Sequence, residues 1–452
     1  MYKAHLPARP VTFLAATLLS ALLGSAFAAE RSVTVNVPGS ATPLPVSFTL
    51  LQLRDVIGAD FPTQWSTLKV KVGGQEVPYQ IDDIDGNGRV SGPDELAFWA
   101  GGDATITVGD VAGTSPTFPA SMMAATKDGA TSITSTQTKL SAVVSKQGLV
   151  RILDAGGAVI ADELGNLRVE GYNQSTYYKD KNLGAYLEGK TTVAGLTLTS
   201  MAVLPAGPVR TTVVAHYSSP EFVGLEQTLI SRVYNDASVD VSSTVLSRGY
   251  ADLMKLEHQA SRLMTEVDPD AYHLAPLPRL LAFADVTKQT PEAYFASPDR
   301  NALTTVDGKP YLAFKVSQNI KPAFWGAPYL FVAPEAWRSN YSPTAKMGVA
   351  ELAHAAPSVP SDFTALVAGD QWQFESGEMR TGVFRWLPDE FKGGENTAKV
   401  LTQPNPFVAH FYPGDSVSWH FLYQPYTAAD LSGAVGYLNA RQQALSAIQL
   451  KK

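Results

Sequence analysis

The stretch LEQTLISRVY (residues 225–234), NDAS (235–238) and VDVSSTVL (239–246) reads as two strands joined by a short polar connection. The same texture recurs at Leu149 to Leu153, Val209 to Ser218, Leu312 to Val316, Tyr329 to Val332, Gln371 to Phe374, Val383 to Trp386 and Val417 to Tyr423, with Gly, Pro, Asn and Asp between the runs. Such punctuation predicts stacked antiparallel sheets and not βαβ units. Nearer the N-terminus, Val33, Val35 and Val37, then Leu68, Val70 and Val72 ahead of Gly73-Gly74, alternate on a two-residue period. The fold class expected is therefore mainly β: a small N-terminal β-sandwich module followed by a large, supersandwich-like antiparallel β-sandwich with a few short helices. Helix is expected where Leu253, Leu256, Ala260 and Leu263 form a three-to-four-residue stripe, and from Asp430 to Leu450. No period of about 20 to 50 residues repeats, so a propeller or solenoid is not expected.

The chain divides as 1–28, a cleaved signal peptide; 29–112, the N-terminal module; 113–138, a linker rich in Ser, Thr, Ala and Pro; and 139–452, the large domain. The leader reading rests on Lys3 and Arg9 ahead of the apolar run Val11 to Leu23, and on the small residues around Ala28, with Ala29 as the neighbouring cut. The run is short for a membrane span, which needs roughly 20 apolar residues. An exported protein in the periplasm, at the cell surface or outside is expected, without a transmembrane segment in the mature chain.

Among 452 residues there is no cysteine, which excludes disulfides, thiol chemistry and cysteine metal sites. The balance of 35 basic against 42 acidic residues disfavours nucleic acid as a partner. Losing Lys3 and Arg9 with the leader takes the formal charge from -7 to -9. A chain of this size can bury enough apolar surface to stand without disulfide staples.

One segment carries ligand spacing. In DIDGNGRVSGPD (residues 83–94), side-chain oxygens fall at positions one, three, five, nine and twelve: Asp83, Asp85, Asn87, Ser91 and Asp94. Gly88 at position six permits the sharp turn, Arg89 at position seven offers its backbone carbonyl, and Val90 at position eight is the apolar pin. Calcium is the cofactor expected, in a structural role. The alternative is an Asp/Gly/Asn turn whose side chains bond their own backbone. The segment resembles the EF-hand loop, and more closely its dockerin variant with Asp as twelfth ligand. It departs from that pattern at Pro93 and in being preceded by a strand-like Val77 to Ile81.

For catalysis, His258, Tyr250 and Arg262 stand out, with Glu257, Tyr272 and His273 nearby in sequence. On a helix His258 and Arg262 would share a face, and a Tyr or His base beside an Arg that neutralises a carboxylate suits β-elimination on a uronate polymer. The same stretch also reads as an ordinary helix with its polar residues in solvent. Sugar contacts are expected from Tyr172, Asn173, Tyr177 and Tyr178, read as an aromatic and amide loop, and from Trp325 and Trp337. If buried, those tryptophans would instead pack a sandwich core. His410 and His420 lack a second ligand at metal spacing in the sequence. No phosphate loop, G-x-S-x-G elbow or H-E-x-x-H motif is present.

EVPYQIDD (residues 76–83) running into the loop and on to DELAFW (94–99) looks like the N-terminal module of secreted bacterial proteins associated with polysaccharide breakdown. GPVR (207–210), followed by a strand and the pair from Leu225, is similar to the large sandwich of galactose-mutarotase-like and polysaccharide-lyase-like domains. The resemblance implies a polysaccharide or cell-envelope glycan as partner and assigns no catalytic residue. Two functions are left open: binding or processing of polysaccharide, including uronate lysis, and a non-catalytic, calcium-stabilised envelope structural or adhesion protein.

Overall fold

The computed structural model describes residues 29–40, 42–180, 184–277, 280–281, 290–318, 331–332, 337–354, 366–370, 379–385 and 409–451. The leader, Trp325 and the run Gln371 to Phe374 lie outside them. The N-terminal module holds β1 (Glu30–Asn36), β2 (Leu44–Thr49), β3 (Gln64–Val72), β4 (Gln75–Glu76), β5 (Tyr79–Asp82), β6 (Glu95–Ala100) and β7 (Ala104–Gly109), with helix α1 (Leu50–Ile57) after β2. Thr49 caps that helix in a reciprocal box with Gln52, which satisfies amides that would otherwise lack partners.

Next come β8 (Met122–Lys127), β9 (Ala130–Ser135), β10 (Ser141–Val144), β11 (Val150–Leu153), β12 (Val159–Asp180) and β13 (Gly184–Gly195). An antiparallel meander follows through β14 (Thr197–Val203), β15 (Arg210–Ser218), β16 (Leu225–Tyr234) and β17 (Val239–Ser247), and the chain crosses back in β18 (Ala251–Ser261). The rest contributes β19 (Tyr272–Pro276), β20 (Leu280–Leu281), helix α2 (Pro291–Phe295), β21 (Leu303–Val306), β22 (Lys309–Lys315), β23 (Phe331–Val332), β24 (Trp337–Ser342), β25 (Met347–Ala353), β26 (Leu366–Asp370), β27 (Met379–Arg385), β28 (Ala409–Phe411), β29 (Ser416–Thr427), helix α3 (Leu431–Ser446) and β30 (Gln449–Lys451).

The large domain is two antiparallel sheets. One runs β20-β23-β26-β27-β18-β12-β11-β10-β9-β8, with β13 on β12 and β28 on β18; the other runs β14-β15-β16-β17-β29-β25-β24-β19-β22-β21. Val239, Val241, Phe421 and Tyr423 of the second sheet join Leu164, Leu167, Leu253 and Leu256 of the first in one core. Their alternates, Leu352, Leu422 and Tyr426, enter a second core with Val33, Leu96, Ile106 and the α3 residues Val435 and Leu438. The two-residue period of a strand thus splits the second sheet between a sandwich core and a docked module. The mainly β fold is as expected from the sequence.

Three expectations are corrected. Leu253 to Leu263 is not a helix: Ala251–Ser261 is β18, paired on β12 and β27, because both flanks offer strands, and its apolar residues Leu253, Leu256 and Ala260 enter the sandwich core. The presumed linker 113–138 contains β8 and β9, which form an edge of the first sheet. The large domain does not keep all of 139–452, since β30 pairs with β1 and completes the N-terminal sheet. Helix α3, expected within Asp430 to Leu450, is present and is capped by Asp430, whose side chain accepts the Gly433 amide.

Candidate functional site

The loop of residues 83–94 links β5 to β6. Carboxylate oxygens of Asp83, Asp85 and Asp94 all lie within 4.8 Å of one another. The backbone helps to hold them: Asp83 accepts the amides of Asn87 at 3.1 Å and Gly88 at 2.8 Å. Asp94, fully buried, accepts those of Ser91 at 2.7 Å and Ile84 at 3.1 Å. Ser91 Oγ and Asn87 Nδ2 both donate to Asp85 Oδ2, and the Arg89 amide donates to Asn87 Oδ1 at 2.7 Å. Burial, with Asp85 and Asp83 nearby, raises the Asp94 carboxyl above its ordinary value, while the Ser91 and Ile84 amides oppose the rise. The side chains thus bond the loop's own backbone, as the plain-turn reading requires, while three carboxylates also converge.

Both ends of the loop are fixed to the large domain. Asp82, just before it, accepts Arg210 Nε at 2.7 Å and Thr212 Oγ1 at 2.6 Å. Glu95, just after it, accepts Arg210 Nη2 at 2.8 Å and both Nε and Nη2 of Arg232, at 2.6 and 2.5 Å. Arg210 is 0% exposed and also reaches Ser47 and Tyr234. Burial pushes the Glu95 carboxyl upward, but Arg232 and Arg210 outweigh it and hold the group at about 2. On the same sheet face Arg232 Nη1 lies 3.5 Å from Asp240 Oδ1 and donates to Ser242 Oγ.

The catalytic candidates do not converge. His258 sits on β18, 1% exposed, facing the rings of Trp419, Phe421 and Tyr423 in the sandwich core. Burial lowers its pKa to about 4. Tyr423 Oη lies 3.4 Å from His258 Nδ1 and donates to Glu351 Oε2 at 2.8 Å, and Glu351 is ion-paired with Arg338. This interior polar cluster has no open face for a polymer. Tyr250, eight residues earlier and so about 26 Å along an extended strand, is 51% exposed and packs edge-to-face on Tyr412. Arg262 points its 55% exposed side chain at Glu266 and Asp162. The shared helix face assumed for His258 and Arg262 does not exist, because the segment is a strand.

The sugar-contact candidates fare similarly. Tyr172, Asn173, Tyr177 and Tyr178 stand on β12, not on a loop, with Tyr172 opposite Thr191 and Tyr178 opposite Tyr186 of β13. Trp337 is buried and its indole N–H donates to Asn439 Oδ1 at 3.0 Å, which makes it part of the core between β24 and α3. Sequence reasoning missed the meeting of Asp240, His354 and His420, whose ligand atoms also lie within 4.8 Å of one another. Three strands far apart in sequence bring them together, and no local spacing signals that.

No protein-family model matches the chain, and no curated protein matches its sequence. Among solved structures, an α-mannosidase from Enterococcus faecalis V583 aligns with 93% of this chain and 46% of its own length, at 8% identity and a TM-score of 0.45. A protein in glycosyl hydrolase family 38 from Enterococcus faecalis aligns with 94% and 47%, at 10% identity and 0.44. A protein from Klebsiella pneumoniae subsp. pneumoniae MGH 78578, assigned as an aldose 1-epimerase, aligns with 92% and 96%, at 7% identity and 0.33. The chain spans about half the length of the first two. Likeness at these scores carries nothing about activity.

Proposed function

We propose that this chain is an exported, calcium-stabilised β-sandwich protein that binds a polysaccharide or cell-envelope glycan without cleaving it. The observation that carries the calcium part is the convergence of Asp83, Asp85 and Asp94 within 4.8 Å in a dockerin-like loop. Calcium there would stiffen the short link between Asp82 and Glu95, the two carboxylates that clamp Arg210 and Arg232 of the large sheet. Its role in this reading is structural, holding the N-terminal module in place. Export rests on the leader-like residues 1–28, and no helix among the described residues is long and apolar enough to cross a membrane.

The glycan part is supported by the resemblance of residues 76–99 to modules of polysaccharide-associated secreted proteins, and by the exposed pair Tyr250 and Tyr412, 47–51% exposed, with ring centroids 5.6 Å apart. Exposed tyrosines suit the apolar face of a sugar ring. Uronate elimination by His258, Tyr250 and Arg262 is not retained, since a base and a neutralising cation must both reach one sugar residue.

The test combines calcium titration of chelator-treated protein, followed by melting temperature, with affinity electrophoresis in pectic, alginate-like and glucuronate-containing polymers. A calcium-dependent rise in melting temperature, and retardation in at least one polymer that weakens in Tyr250→Ala and Tyr412→Ala, is the expected result. A growing ultraviolet absorbance from unsaturated uronates would overturn the non-catalytic reading, and no thermal response to calcium would overturn the metal assignment.

A further inference from the structure

Asp240 on β17, His420 on β29 and His354 just beyond β25 lie on three strands that neighbour one another in the second sheet. His354 donates its backbone amide to the His420 carbonyl at 3.0 Å, which sets the two residues side by side. Their imidazoles stack with centroids 3.9 Å apart and 16° between planes. Both Nε2 atoms turn toward one buried carboxylate: His420 Nε2 is 2.6 Å from Asp240 Oδ1, and His354 Nε2 is 3.5 Å from Asp240 Oδ2. The His354 Nε2 atom is buried and has no hydrogen-bond partner among the described residues. A carboxylate can use one imidazole N–H on each oxygen; here His420 is at bonding distance, while His354 Nε2 stands at its outer limit.

The charge around Asp240 is unbalanced. Two guanidinium groups, Arg210 and Arg232, face three carboxylates, Asp82, Glu95 and Asp240, in one connected cluster. Arg232 is committed to Glu95 by two bonds and stands farther from Asp240, at 3.5 Å, so one buried negative charge is left for a further cation. A divalent ion between the carboxylate and the two imidazoles would supply that cation.

From this geometry we infer that Asp240, His354 and His420 form a second metal site, independent of the Asp83 loop, that takes a divalent transition ion of the zinc type. Two imidazole nitrogens and one carboxylate are borderline donors, which select Zn²⁺, Co²⁺, Ni²⁺ or Cu²⁺ over the hard Ca²⁺ and Mg²⁺. Ligand atoms around a tetrahedral zinc lie about 3.3 Å apart given bonds near 2.0–2.1 Å. The stacked rings must turn toward one another for both nitrogen lone pairs to meet at one ion. The His420 side chain is 41% exposed, whereas Asp240 and His354 are largely buried. Arg232 and Ser242 supply the outer contacts: Arg232 lies near Asp240 Oδ1, and Ser242 stands opposite His420 across the β17–β29 pair.

The test uses untagged protein stripped with a chelator and held in excess Ca²⁺, so that the Asp83 loop does not compete. Titration with Co²⁺ and displacement by Zn²⁺ should show one transition ion per chain. Electron paramagnetic resonance of the Cu²⁺ form should show coupling to two imidazole nitrogens. His420→Ala, at a partly exposed position, and His354→Ala should each weaken binding at least tenfold, with circular dichroism showing an intact fold. Absence of saturable binding, a Cu²⁺ spectrum without nitrogen coupling, or undiminished affinity in both variants would overturn the site. Loss of binding in Asp85→Ala instead would place the ion in the loop and also overturn it.

Discussion

Gln80 is bonded to Arg210 at both ends of its amide: Oε1 accepts the Arg210 backbone N–H at 3.0 Å, and Nε2 donates to the Arg210 carbonyl at 3.1 Å. The side chain thereby does what a neighbouring strand would do for β15. Gln80 also accepts the Val209 amide and donates to Asp82, so two sequence phrases 130 residues apart, around Gln80 and around Gly207 to Arg210, are parts of one joint. A Cβ at Gly207 would stand 2.2 Å from Gln80 Oε1, so a side chain there would push the Gln80 amide off its bonds to Val209 and Arg210. Arg210 then uses its guanidinium on Asp82 and Glu95.

Removing Arg210 should be among the most damaging single changes. Arg210→Met would leave Asp82 without its guanidinium and Glu95 with only Arg232, and truncating one partner of a buried pair costs about 3–5 kcal/mol. Denaturant unfolding should show that loss, together with earlier release of the N-terminal module in limited proteolysis. A loss under about 1 kcal/mol would mean the joint is held by its apolar contacts alone.

The loop carboxylates should separate into two behaviours. Asp85 is exposed and, among the described residues, bonds only within the loop, so Asp85→Ala should remove the calcium-dependent rise in melting temperature and leave the calcium-free protein nearly unchanged. Asp94 is buried and holds two backbone amides, so Asp94→Ala should lower stability with or without calcium. Equal thermal curves for the two variants would contradict this assignment.

Acid should destabilise the fold in two successive windows. His258 has its pKa lowered from 6.5 to about 4, and the buried His273 from 6.5 to about 3, in each case chiefly by burial. Between those values and 6.5 the unfolded chain takes up protons that the native one does not, so stability falls as pH drops from 6.5 toward 4. Glu95, held at about 2 against an ordinary 4.5, contributes stability above 4.5 that is lost as pH falls through about 2. A shift of the size at His258 corresponds to about 3 kcal/mol. Denaturation midpoints measured from pH 7 to 3 should fall throughout, and His258→Asn should flatten the upper part of the curve.

Gly165 on β12 should not tolerate a side chain. Its φ is +84°, at a register shift between Asp162 and Asn166 on the β12–β18 pair, and a Cβ would stand 2.5 Å from Leu229 Cδ1 and 2.9 Å from Val241 Cγ1. Gly165→Ala therefore combines backbone strain with overpacking between the two sheets, and a loss of roughly 1–3 kcal/mol is expected in urea unfolding.

Much of the fold was legible because its signals are local. Alternation in Val33 to Val37 and in Leu68 to Val72 marks strands, Asp430 and the residues after it mark a capped helix, and the oxygen spacing of Asp83 to Asp94 marks the loop; each depends on residues a few positions apart. The sequence alone thus determined the mainly β class, the loop and the composition that excludes thiol chemistry. Leu253, Leu256, Ala260 and Leu263 misled, since a register shift beside Leu253 lets residues at that spacing share one face of a strand, and only pairing with β12 and β27 chose between them. Tertiary structure alone decided that His258 is interior while Tyr250 is exposed. It also decided that Trp337 is core and that β30 closes the sheet begun by β1. Likewise Asp240, His354 and His420 became neighbours only through strand order, because side chains so far apart in sequence meet by sheet topology, which no short-range pattern encodes.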